Sequence, residues 1–306
     1  MTATSFGRYE VIAPLARGGM GEVYLAALRS PGGFERKVVI KSVRAELLAN
    51  ERMALMFVDE ARIAACLYHR NIVQTLEFGL SPTGAYLVLE YVPGLDLFRL
   101  GKGLQAPMPY ELAVYITLEI AAALHHAHQA VDTEGQPLAI VHRDVTPSNV
   151  LLGDQGHVKL ADFGIAHSKS RLYATRSGTL KGKCGYIAPE QIRGKTIDRR
   201  ADLFSLGVLF YEMTTGTSLY GHLKELEAMK AILNQPLPEP AGARRGYPRE
   251  LAAVFPGLLA KDASARYPTA AAFADDLGTR AARLGLAARS ADVASAVRAA
   301  RREART

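Results

Sequence analysis

Apolar and polar residues alternate loosely over residues 9–15 and return in strand-like composition over 22–26, with Gly18, Gly19 and Gly21 between the two runs. Strand, glycine turn and strand predict a hairpin. Residues 37–43 predict a third short strand. Over residues 44–67 the apolar Leu55, Val58, Ile63 and Leu67 fall near a helical period, so one long helix is expected there. Residues 72–78 and 85–91 read as two more strands. After Pro93-Gly94 the pattern turns helical, with helices expected over 110–130, 197–215, 223–233, 250–260 and 269–283. Short apolar runs at 140–152 and 157–160 flank turns. Residues 131–138 read as an exposed loop, and 233–246, rich in Pro and Gly, as a longer one. The prediction is a small sheet-rich lobe with one long helix, joined near residues 92–94 to a larger helical lobe. The Ala/Arg-rich end, 281–306, is expected to be a frayed amphipathic helix.

Composition narrows the class. The chain has 306 residues, 49% of them hydrophobic, enough for a sizeable core in two domains or one two-lobed unit. Lys and Arg number 37 against 30 Asp and Glu, a formal charge of +7. Part of the excess lies in the end segment, where six arginines face only Asp292 and Glu303. A basic protein can meet nucleic acid or acidic lipid, but a solvated basic tail accounts for this charge, and no specific nucleic-acid partner is expected. Cys66 and Cys184 form neither a CxxC pair nor a disulfide framework, which points to a reducing compartment. The first residues lack the apolar core of a signal peptide, and the apolar run 203–213 is too short to cross a bilayer. A cytoplasmic protein without a membrane partner is expected.

Candidate chemistry concentrates in a few stretches. Gly18 and Gly21 would let backbone N–H groups approach a phosphate, although glycines in a hairpin are more often only a turn. No Gly-Lys-Ser/Thr follows, so this is not a Walker loop. Lys41 ends an apolar strand, where a lysine is usually solvated. Glu60 lies 19 residues on, within the expected helix, and could pair with it so that the ammonium faces phosphate. The run 140–152 sets His142, Arg143, Asp144, Thr146, Ser148 and Asn149 between two apolar anchors. Thirteen residues after Asn149 stands Asp162, followed by Phe163 and Gly164. An amide oxygen and a carboxylate suit Mg²⁺, which keeps few protein ligands and takes others from phosphate. Asp144 is then left to orient an attacking hydroxyl and accept its proton. Of His125, His126 and His128, only His125 and His128 share a helix face, with no carboxylate suitably spaced, so surface or packing histidines are expected there, not a metal site.

These stretches together resemble the Hanks-type protein kinases, particularly the serine/threonine kinases of bacteria, over roughly residues 9–280. The resemblance implies an α+β bilobal protein-kinase fold, with 9–92 as the small lobe, 93–280 as the large lobe and 281–306 as a tail. It implies ATP and Mg²⁺ as cofactors and protein substrates as partners, and it allows a transient homodimer for trans-autophosphorylation. Leu15, Ala16, Gly18, Gly21 and Val23 match the phosphate-covering loop and its flanks. Lys41 and Glu60 match the family's ion pair. Val39, Leu89, Glu90, Val92 and Leu151 match positions around adenine, Leu89 as gatekeeper. Asp144 matches the catalytic aspartate, and Asn149 and Asp162 the metal ligands. Glu190 in Ala188-Pro189-Glu190 closes the activation segment, Arg266 matches its structural partner, and Asp202 matches the aspartate that steadies the catalytic loop. Arg143 marks control by loop phosphorylation, for which Thr179 stands in the main register, with Thr175 and Ser177 next.

The chain also departs from the family. Ala16 replaces the first loop glycine and fits if its φ is negative. Val39 replaces the usual alanine above adenine. Thr146 stands where serine/threonine kinases carry lysine, and Lys183 where they carry threonine. The hydroxyl and the ammonium look exchanged, with Lys183 expected to supply the charge beside the transferred phosphate. Losing the lysine after Asp144 is a tyrosine-kinase trait, yet the arginine those enzymes carry nearby is missing from residues 145–148. A serine/threonine kinase is expected. The alternative is a pseudokinase acting as a binding or scaffold module.

Overall fold

Period-two alternation and β-branched residues build most of the described chain up to Glu90 into a sheet. Six antiparallel strands, β1 (Ser5–Phe6), β2 (Tyr9–Arg17), β3 (Gly21–Ser30), β4 (Phe34–Arg44), β5 (Thr75–Ser81) and β6 (Gly84–Glu90), lie in the order β1-β2-β3-β4-β6-β5. This is a computed structural model describing residues 5–17, 21–44, 51–81, 84–104, 106–163 and 184–303, the side chains at 44, 51–56, 59 and 60 excepted. Helix α1 (Glu51–Cys66) accompanies the sheet. Alternation along β4 sends Val38 and Ile40 to one face, where they pack with Phe6, Tyr9, Ala26, Tyr86 and Val88. Val43 points to the other face and meets Ala85 and Leu87 together with Phe57 and Ala61 of α1. By the same parity Val39 and Lys41 lie on the α1 side of the sheet.

The chain divides into two compact units: this sheet with α1, and a second unit comprising His69–Ile72, Pro93–Phe163 and the described residues from 184 onward. The second unit holds a small sheet of β7 (Gly94–Asp96), β8 (Val150–Gly153) and β9 (Val158–Leu160). Its helices are α2 (Leu97–Gly103), α3 (Tyr110–His128), α4 (Pro189–Ile192), α5 (Arg200–Thr215), α6 (Glu225–Asn234), α7 (Pro240–Ala243), α8 (Arg249–Ala252), α9 (Phe255–Leu259), α10 (Ala270–Arg283) and α11 (Ser290–Glu303). Helix α5 is apolar all round, so it is the centre of the unit: only Arg200 and Glu212 along it are not buried. Gly207 lets α9 approach, since a Cβ there would lie 2.8 Å from Leu258 Cβ. Full burial of a side chain such as Phe204 or Phe210 is worth about 1.5–3 kcal/mol.

The expected elements differ from this in four places. The strand expected over 72–78 begins at Thr75, because Asn71 and Ile72 belong to the second unit. There Asn71 Nδ2 donates to Glu119 and to the Val158 carbonyl, and Ile72 makes a single parallel bridge to Leu160. The helix expected over 250–260 is two pieces, α8 and α9. Pro256 explains the break, since its ring clashes with a carbonyl one turn earlier. The loop expected over 233–246 contains the one-turn helix α7. The end segment is not frayed: α11 buries Val293, Ala294, Val297 and Ala300. Small β-branched and alanine residues gave it too weak an apolar pattern to separate docking from exposure. No helix among the described residues is long and apolar enough to cross a membrane.

Candidate active site

The run 140–152 folds as its polarity suggests. Ile140, Val141, Val150 and Leu152 are buried anchors, and the polar residues between them form a loop ending in a 3₁₀ turn, Pro147–Asn149. Asp202, fully buried in the first turn of α5, holds the loop by its main chain. Its Oδ2 accepts from the His142 N–H at 2.8 Å and its Oδ1 from the Arg143 N–H at 2.7 Å. His128 Nε2, from the end of α3, lies 2.8 Å from the same carboxylate. Burial pushes the Asp202 carboxyl up, but the hydrogen bond from His128 and the nearby donors outweigh it and leave its pKa below the ordinary value. This grip offsets backbone strain. Arg143 has φ +68°, a left-handed conformation that costs a non-glycine residue about 1–2 kcal/mol.

His142 is itself wired into the loop. Its Nδ1 accepts from the Asp144 N–H at 3.2 Å and its Nε2 faces the Ala161 carbonyl at 3.0 Å. The two contacts together require the neutral ring with its proton on Nε2. Burial lowers the His142 pKa, against the attraction of Asp202 and Asp144. The Phe163 ring packs on it at 4.5 Å.

Asp144 is buried, and Asn149 Nδ2 donates to both its carbonyl at 2.8 Å and its Oδ2 at 3.0 Å. The Ala161 N–H donates to the Asn149 carbonyl at 2.8 Å, which ties the segment leading to Asp162 to the loop. Asp162 is exposed and takes φ +57°. The second unit therefore brings Asp144, Asn149, Asp202 and Arg143 together, with Asp162 one residue beyond the Ala161 tie. Thr146 is buried, and its hydroxyl has no hydrogen-bond partner among the described residues.

This donor set fits a hard divalent cation bound with substrate oxygens. The Asn149 amide nitrogen is spent on Asp144, which leaves its amide oxygen to act as ligand beside the Asp162 carboxylate. No group of three or more His, Cys, Asp or Glu able to hold a metal occurs among the described residues. His126 stacks on His69 at 4.9 Å, and His128 is spent on Asp202.

In the first unit, Lys41 is half-buried in β4, paired with Val23 and Leu87, and Val39 is paired with Leu25 and Leu89. Ala16 pairs with Val23 and does not have a positive φ. Leu15 is exposed. Gly21 has a packing reason of its own: a Cβ would lie 1.7 Å from the Ser42 carbonyl oxygen. Glu90 Oε1 accepts from the Gln74 N–H at 2.8 Å, and Val92 is half-buried just beyond β6. Leu151, in β8 of the second unit, is half-buried opposite Lys159 and Asp96. Gly18, Thr175, Ser177, Thr179 and Lys183 lie outside the described residues, as does the Glu60 side chain.

Further from the loop, Arg266 makes a buried two-pronged pair with Glu190, at 2.7 and 2.8 Å. It also donates to the Arg200 and Ala260 carbonyls. Sequence reasoning missed His128 as a partner of Asp202, because 74 residues separate them and no local spacing signals the contact.

The fold and this loop define a protein kinase. A family profile described as protein kinase domain matches residues 9–276, and the chain belongs to that family, among its Hanks-type bacterial members. Over 277 residues it is 44% identical to the tyrosine-protein kinase MasK of Myxococcus xanthus, covering 90% of this chain and 43% of MasK. It is 35% identical over 278 residues to the serine/threonine-protein kinase PknB of Mycobacterium tuberculosis, covering 88% of this chain and 42% of PknB. The chain thus spans about two fifths of the length of these curated relatives. A crystal structure of the PknI kinase domain of Mycobacterium tuberculosis aligns with TM-score 0.69 and 28% identity over 92% of this chain and 99% of that one.

Proposed function

We propose that the chain transfers the terminal phosphoryl group of ATP to a serine or threonine hydroxyl of a protein, with Asp144 orienting the hydroxyl and taking its proton. The observation that carries this reading is the buried, immobilised Asp144 carboxylate, held by Asn149 and braced through Asp202. A base fixed in place needs no reorganisation when its substrate arrives. In the step, the hydroxyl oxygen bonds to the terminal phosphorus, the bond to the bridging oxygen breaks, ADP leaves, and the hydroxyl proton passes to Asp144. Lys41, paired with Glu60, takes the phosphate oxygens, covered by Leu15, Ala16, Gly18, Gly21 and Val23. Val39, Leu89, Glu90, Val92 and Leu151 take the adenine. Asn149 and Asp162 would hold Mg²⁺, which would supply charge neutralisation at the phosphates. Lys183 adds the ammonium that Thr146 does not provide, so Lys183→Met lowers kcat by about two orders of magnitude. The kinase domain spans 9–280, and phosphates on Thr179, Thr175 or Ser177 pair with Arg143 to switch it on.

The acceptor residue is the finer question. Thr146 in place of the serine/threonine-kinase lysine, and the name of the Myxococcus relative, favour tyrosine. The lack of arginine in residues 145–148 favours serine or threonine. Incubation with labelled ATP, Mg²⁺ and a mixed protein substrate, followed by phosphoamino-acid analysis, decides it. The expected product is phosphoserine and phosphothreonine, with transfer reduced at least about a hundredfold in Asp144→Ala. Phosphotyrosine as the main product would overturn the acceptor assignment. Undiminished transfer by Asp144→Ala would overturn the mechanism, and nucleotide binding without any transfer would make the chain a pseudokinase.

A further inference from the structure

Helix α11 lies beyond the 9–276 region that the family profile matches, yet it is built into the second unit. Its four buried residues, Val293, Ala294, Val297 and Ala300, recur at helical spacing on one face. That face meets α2 and β8. One glycine makes the approach possible, and a second lies in ordinary contact with the helix. At Gly156, which has φ +87°, a Cβ would lie 1.9 Å from the Ser290 carbonyl oxygen. At Gly103 a Cβ would sit 3.5 Å from Ala300 Cβ.

At the end of this helix Arg301 makes three hydrogen bonds to two separate segments. Its Nη1 donates to both carboxylate oxygens of Asp154, at 3.0 and 2.7 Å. Its Nη2 donates to the Gly94 carbonyl at 3.1 Å. Asp154 lies in the turn after β8, and its N–H donates to the Pro93 carbonyl at 2.7 Å. Gly94 opens β7, two residues after Val92, and is in register with Gly153, as Asp96 is with Leu151. The Gly94–Gly153 crossing is tight, since a Cβ on Gly94 would lie 1.9 Å from the Leu152 carbonyl oxygen. The guanidinium therefore clips the start of β7 to the far end of β8. Strand β8 begins immediately after Asn149 and carries Leu151. With side-chain exposures of 39% and 28%, the Arg301–Asp154 pair adds little to global stability. What a planar, two-pronged fork adds at that exposure is geometry.

We propose that Arg301 is a positioning residue for nucleotide binding, and that α11 is the strap that carries it. By fixing the β7–β8 register it holds Leu151 and Asn149 where ATP needs them. This rests on the reading above in which those two residues serve the nucleotide. The 306-residue chain carrying Arg301→Ala, Arg301→Lys, Asp154→Asn or the Arg301→Ala/Asp154→Asn pair is tested for the Kd of a fluorescent ATP analogue, for KM and kcat, and for Tm. Arg302→Ala, at an exposed neighbour on the same helix, is the control. Arg301→Ala and Asp154→Asn are each expected to raise Kd and KM for ATP about five- to tenfold while kcat stays within about twofold. Arg301→Lys falls between, the double variant is no worse than either single one, and Arg302→Ala matches the parent. Asp154→Asn tests the clip independently if Arg301→Ala fails to fold. Unchanged Kd and KM overturn the proposal. So does a fall in kcat and Tm at constant KM, which marks a purely structural contact. A parent chain that binds nucleotide while its variants bind equally well removes the strap alone. A parent chain that binds no nucleotide overturns the assignment of Leu151 and Asn149 as well.

Discussion

His142 shows how one residue couples the loop to solvent pH. Its ring is buried and neutral, one nitrogen accepting from the Asp144 N–H and the other bonded to the Ala161 carbonyl. A histidine whose folded pKa lies below the ordinary 6.5 binds protons more readily once unfolded. Stability is then unaffected above that ordinary value and falls as pH drops through the window beneath it. Urea midpoints measured from pH 7.5 to 5 should decline toward acid, and His142→Tyr should flatten the slope; a parallel slope in the variant would assign the decline to other groups. Arg266 and Glu190 give a second test. Removing one member of a buried pair leaves an uncompensated charge, so Arg266→Ala should cost about 3–5 kcal/mol in urea unfolding. A loss under about 1 kcal/mol would show the site to be wetter than the structure indicates.

Element by element, legibility followed the range over which each signal acts. The strands β2, β3, β4 and β6, and the helices α3, α5 and α10, were visible because alternation or a 3.6-residue period is local. The loop from Ile140 to Leu152 was visible because its polar groups sit between apolar anchors at fixed spacings. Strand β7 and helix α2 were not, since three residues of strand carry no period and α2 starts only where Asp96 caps it, accepting from the Arg99 N–H at 2.7 Å. The partnership of His128 with Asp202 and that of Arg301 with Asp154 were equally hidden, because long-range pairing leaves no mark on sequence spacing. Helix α11 was misjudged for a related reason: alanine and valine bury well against a close neighbour but look bland alone. Its docking depends on the bare backbone at Gly156. Gly156→Ala combines a positive φ with a 1.9 Å collision, so it should accelerate amide hydrogen exchange across residues 290–303. Exchange unchanged there would mean that the helix seats without this close approach.

At the scale of the whole molecule, each unit has its own core. The sheet unit packs apolar side chains on both faces of β4, and the helical unit is organised around α5. The loop carrying Asp144 takes its shape from that second core. Asp202 grips two main-chain N–H groups of the loop, those of His142 and Arg143, and His128 of α3 stands behind it on the same carboxylate. A catalytic contour suspended by its peptide groups, and by the side chains of His142 and Asn149, makes no demand on the loop positions that take no part in that suspension. Position 146 is then interchangeable hardware. Exchange at such a position leaves the bonds that frame Asp144 and Asn149 untouched, so a new side chain there alters what faces the substrate without reshaping the loop.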